Sequence, residues 1–80
     1  MIIHVNVYPS LIESGNMLHV KTTLEGECKF VLNDETGRRL MVISFTKETV
    51  VNTKNLSAGL YTYCVMSKNH QENGKIEVIR

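Results

Sequence analysis

The sequence predicts an all-β domain, an antiparallel sandwich of seven short strands, on three observations. Apolar residues recur at every second position along the chain, β-branched and aromatic residues are enriched in those runs, and turn-forming residues interrupt them about every 8 to 12 residues. No segment sustains the helical period of about 3.6 residues.

In the first strand Ile3, Val5 and Val7 alternate with His4, Asn6 and Tyr8, and Pro9 ends it because proline has no amide to donate to a ladder. Ser10 to Asn16 reads as a loop carrying Gly15. The second strand sets Leu18, Val20 and Thr22 on one face and His19 and Lys21 on the other. Glu25-Gly26 turns the chain into a third strand, where Cys28, Phe30 and Leu32 oppose Lys29, Val31 and Asn33. Asn33 to Gly37 reads as a hairpin turn, with Gly37 free to take the positive φ that a tight reversal needs. The fourth strand runs from Arg38 to Phe45, and its unbroken apolar run from Leu40 to Ile43 predicts cover on both faces or a change of side at a bulge.

Thr49 to Thr53 makes the fifth strand, Leu56 an inward anchor, and Ser57-Ala58-Gly59 a corner. The sixth strand is Leu60 to Met66. The polar segment Ser67 to Gly74, closing on Asn73-Gly74, reads as a hairpin loop into a seventh strand whose Ile76 and Val78 alternate with Lys75, Glu77 and Ile79. Seven antiparallel strands in 80 residues favour two packed sheets, an immunoglobulin-like sandwich, over a closed barrel.

That length fits a single domain, residues 1–80, with one core. A net charge of +1 with mixed signs argues against a disordered acidic tail and against a nucleic-acid binder. No window approaches the roughly 20 apolar residues that span a bilayer, and the N-terminus lacks the basic region, apolar run and cleavage site of a signal peptide. Met1 leading straight into a strand fits either a small intracellular protein or the C-terminal piece of a longer one with an added initiator. Strand phase also opposes a disulfide. Cys28 shares a face with Phe30 and Leu32, whereas Cys64 is out of phase with Tyr61, Tyr63 and Val65, which puts one thiol inside and the other outside.

Catalytic chemistry needs convergent polar groups, and the pattern offers few. His4 and His19 on the first two strands read as cross-strand neighbours, but no Cys-x-x-Cys, His-x-His or His-Glu-x-x-His spacing accompanies them, so no metal site is expected. Asp34-Glu35 lacks the further oxygen ligands of a calcium loop and reads as an Asx-type turn. Arg38 and Arg39 point to opposite faces, and Tyr61 and Tyr63 lie in core phase. No nucleophile with a base and no glycine-rich phosphate loop is present, so neither enzyme activity nor a cofactor is expected.

Four stretches carry a resemblance. Val7-Tyr8-Pro9 looks like an opening VYPNP, Leu32 to Arg38 (LNDETGR) like LYDxxGR, Asn55 to Tyr61 (NLSAGLY) like NLPAGxY, and Gly74 to Arg80 (GKIEVIR) like a closing Lys-hydrophobic run with a terminal basic residue. In order and spacing the chain resembles the C-terminal sorting domain of type IX secretion cargo, the outer-membrane export route of the Bacteroidetes. Departures are Ser10-Leu11 in place of Asn-Pro, and Cys64 where that family often carries a basic residue.

The resemblance implies an address label without catalytic residues. Its partners would be a secretion shuttle and an outer-membrane translocon, with a sortase-like cysteine peptidase removing the domain in many members and a cargo protein preceding it. Its route would pass through the periplasm to the cell surface or medium. The recognition surface is expected on the final hairpin, Gly59 to Arg80, through Gly59, Tyr61, Lys75, Ile76, Glu77, Val78, Ile79 and Arg80. Tyr8, Pro9, Asp34, Gly37, Arg38 and Leu56 are expected as structural motif positions. A short last strand is expected to leave main-chain groups at a sheet edge, open to a partner or to self-association. A generic immunoglobulin-like adhesion or interaction module, binding by strand addition, is the alternative.

Overall fold

The computed structural model describes residues 3–80. Eight strands run through them: β1 (Val5–Tyr8), β2 (Leu11–Glu13), β3 (Met17–Thr22), β4 (Glu27–Asp34), β5 (Arg39–Thr46), β6 (Glu48–Asn52), β7 (Gly59–Met66) and β8 (Gln71–Ile79). They form two sheets, in the orders β1-β3-β6 and β2-β8-β7-β4-β5. The all-β two-sheet reading therefore holds.

The core lies between the sheets. Leu18 and Val20 from β3 and Val51 from β6 meet Cys28, Phe30 and Leu32 from β4, Tyr61 and Val65 from β7, and Ile76 and Val78 from β8. The alternation expected in these strands is the alternation observed, because a one-residue slip would turn each apolar set to water. Cys28 is buried among these residues, and Cys64, opposite Val31, faces out; both are free thiols. The apolar run of β5 is resolved by a bulge: Leu32 pairs with Met41 but Asn33 with Arg39, so Leu40 is the extra residue. Leu40, Met41 and Ile43 all pack on the core as a result.

Four expectations are corrected. The strand count is eight among the described residues, not seven, because the segment read as a loop holds β2, whose Ile12 is only 2% exposed. Three residues are too short to display a period. The sheets are not wholly antiparallel either, since β2 runs parallel to β8 with Leu11, Ile12 and Glu13 opposite Glu77, Val78 and Ile79.

Next, β8 begins at Gln71, so Asn73-Gly74 is strand and the hairpin turn is confined to Ser67–His70, closed by the Ser67 amide on the His70 carbonyl at 2.8 Å. Gly74 serves packing there. A Cβ on it would collide with the ring and hydroxyl of Tyr63, its cross-strand partner, which also stacks on Phe30 at 5.9 Å. Finally, His4 and His19 are not neighbours: His19 pairs with Tyr8, the rings stacked at 5.1 Å, while the His4 carbonyl accepts from the Thr23 amide at 3.0 Å.

Candidate recognition surface

Two stretches of the sequence motifs meet at one end of the sandwich. The Asp34 carboxylate organises the first. Its Oδ1 accepts from the Thr36 amide at 2.9 Å, the Thr36 hydroxyl at 2.6 Å and the Arg38 amide at 3.0 Å, while Arg38 Nε lies 3.4 Å from Oδ2. Gly37 completes the reversal at φ 89°, where a side chain would be strained. The Thr36 hydroxyl, then backbone amides and Arg38, hold the Asp34 carboxyl below its ordinary range. This is the Asx-type turn read from the sequence.

The second stretch is the corner from Asn55 to Tyr61. Leu56, 8% exposed, plugs into the core, and its amide donates to the Thr53 carbonyl at 3.0 Å. Tyr61 pairs with Asp34 across β7 and β4, and its hydroxyl donates to the Ser57 carbonyl, clamping the corner onto the start of β7. Thr53 ties in the loop between β2 and β3. Its fully buried hydroxyl donates to the Asn16 carbonyl at 2.7 Å and accepts from the Gly15 amide at 3.0 Å.

Between these parts lie two shallow hollows that share Asn55, Leu56 and Ser57. One, about 400 Å³, is lined by Asp34, Arg38 and Tyr61 as well; the other, about 480 Å³, by Ser14, Lys54 and the chain's last residue, Arg80. The hairpin turn, the corner and the chain end, remote in sequence, thus share one surface. Tyr8 and Pro9 line neither hollow. They sit where the chain leaves the smaller sheet for the larger, joined by a cis peptide bond.

Along β8 the expected recognition residues divide by phase. Lys75, Glu77 and Arg80 are exposed and Ile79 is half-buried, whereas Ile76 and Val78, 1% and 0% exposed, belong to the core. Gly59 is half-buried and Tyr61 is buried at the corner. The edge expected along the last strand is half covered: β2 pairs with residues 77–79, and 71–76 have no partner on that side among the described residues.

The sequence reading missed the Tyr61 clamp, the Thr53 hydroxyl and the Tyr63–Gly74 contact. Tyrosine four residues after Ser57 at a strand start was the available signal for the first; nothing local announces the other two.

Among the described residues no group of three or more His, Cys, Asp or Glu side chains could hold a metal ion. Burial pushes both cysteine thiols up from their ordinary values, which disfavours the thiolate. No helix of the described residues is long and apolar enough to cross a membrane. A larger hollow, of about 570 Å³, lies elsewhere, on the outer face of the five-stranded sheet. No family model matches the chain, and no curated protein matches it.

Proposed function

We propose that this chain is a non-catalytic export address, a C-terminal sorting domain of the type IX kind, read by a secretion shuttle and an outer-membrane translocon. The observation that carries the reading is the meeting of the Asp34–Arg38 turn, the Asn55–Tyr61 corner and Arg80 on one surface. An address read by a partner needs such a surface. It requires no nucleophile, base or metal, and a sortase-like cysteine peptidase would act on the segment joining the domain to its cargo. The domain would travel through the periplasm to the cell surface or medium.

We also assign the sandwich to the immunoglobulin-like class. Its strand orders fit an A-B-E sheet against an A′-G-F-C-C′ sheet, and the Tyr61 hydroxyl on the Ser57 carbonyl fits the tyrosine corner of that class. The same architecture suits the alternative, an adhesion or interaction module.

The test is secretion of a reporter fused ahead of the domain in a host with the export system. Deleting Lys75 to Arg80 is a poor variant by itself, because it removes Ile76 and Val78 from the core. The double variant Arg38→Glu, Arg80→Glu changes only exposed side chains. It should retain the reporter in the cell while the purified domain melts within a few degrees of the parent. Normal secretion of that folded variant would rule the address reading out.

A further inference from the structure

We propose that the outer face of the five-stranded sheet docks an acidic, extended segment of a partner protein, at a site separate from the motif end. Register places the outward residues of this face in rows across four strands. Arg39, Asn33, Thr62 and Lys75 form one row, and Val42, Val31, Cys64 and Asn73 the next. A third row holds Ser44, Lys29, Met66 and Gln71.

Charge on these rows has one sign. Lys29, Arg39 and Lys75 are exposed, none takes part in an ion pair among the described residues, and no carboxylate stands in the three rows. Glu27 and Glu77 lie only in the flanking rows. On the opposite side of the sandwich, by contrast, Lys21 is matched by Glu48 at 3.9 Å. Three of the six Lys and Arg side chains without an ion pair among the described residues thus stand on this one face.

Shape narrows the ligand. The hollow of about 570 Å³ is bounded by Arg39 on β5 and Lys75 on β8, three inter-strand spacings or about 14 Å apart. Between them lie the polar Asn33 and Thr62 and, one row along, Val31 and Cys64; Val31 faces outward yet is only 7% exposed. An extended peptide lying across the strands puts side chains i and i+4 on one side about 13 Å apart. Two acidic residues at that spacing would reach Arg39 and Lys75, and a small apolar residue midway would lie over Asn33 and Thr62 beside Val31. Asn33, Thr62 and Asn73 supply hydrogen bonds along the way. Long-range attraction of this kind raises the encounter rate and falls with salt.

The experiment titrates the domain with the capped peptide Ser-Glu-Ser-Val-Ser-Glu-Ser and with its Gln-for-Glu analogue, following amide NMR shifts. The acidic peptide should shift the amides of Val31, Thr62 and Asn73 and weaken as salt rises, and the Gln analogue should bind at least tenfold more weakly. Arg39→Glu with Lys75→Glu should cost tenfold or more without altering the rest of the spectrum, whereas Lys21→Gln should cost nothing. Shifts confined to the face of Tyr8 and His19, equal binding by the Gln analogue, or indifference to the charge reversal would each overturn the proposal. Dextran sulfate binding this face where the peptide does not would also overturn it.

Discussion

The two halves of β8 differ in what lies beside them, although both are regular strand. At Glu77 and Val78 the strand is flanked on both sides: β7 pairs along one edge, β2 covers the other, and the Glu77 amide donates to the Ser10 carbonyl at 2.8 Å. From Gln71 to Lys75 only β7 is beside it. Residues in an antiparallel ladder alternate in the strand they bond, so the Glu77 contact implies that Lys75, Asn73 and Gln71 turn their N–H and C=O groups to the open side. One strand thus joins a core element to an edge. Its side chains divide by phase instead, with Ile76 and Val78 in the core and Gln71, Asn73, Lys75 and Glu77 exposed. The side chains that the last strand presents to a partner under the proposed reading are its odd-numbered residues and Arg80.

Substitution in the core phase of the strand should have the largest effect. Ile76→Ala leaves a cavity in a fully packed position and should cost about 3 kcal/mol, measured by urea unfolding. That is a large part of the stability of a domain this size. In the open half Gly74→Ala forces Tyr63 to move and should cost about 2 kcal/mol. A neutral result there would mean that the ring swings aside freely and that glycine is not required.

Amide exchange tests the edge directly: Glu77 should exchange at least tenfold more slowly than Lys75, Asn73 and Gln71. Equal protection would mean that something else covers the open half. At the motif end, Tyr61→Phe removes the clamp on the Ser57 carbonyl and should cost about 1 kcal/mol while leaving the exchange pattern of β8 intact.

The smallest effect belongs to Asp34 and depends on pH. Its folded carboxyl lies below the unfolded value of 3.8, so its contribution is full above that value and disappears as pH falls through the lower folded one. Stability of Asp34→Asn should therefore differ from the parent at pH 6 and converge with it in strong acid.

The inward residues of the long strands could be read locally, because burial on one face imposes a period of two and one slip exposes the whole set. Cys28, Phe30 and Leu32 were legible on that ground, the Asp34 turn was legible from its side-chain chemistry, and the motifs of the candidate surface were read from the resemblance alone. What joins them was not. Tyr61 comes beside Asp34, and Arg80 shares a hollow with Lys54, only once the strands have packed.

Chain chemistry alone determined a β protein with alternating strands and a carboxylate-capped turn, since those depend on side-chain phase and on hydrogen bonds between near neighbours. Tertiary structure decided that Leu11–Glu13 would be a strand, that it would lie parallel to β8, and that Gly74 would sit beneath an aromatic ring. Each of those is a contact between separate strands, and the energy that selects it exists only after both have been brought together.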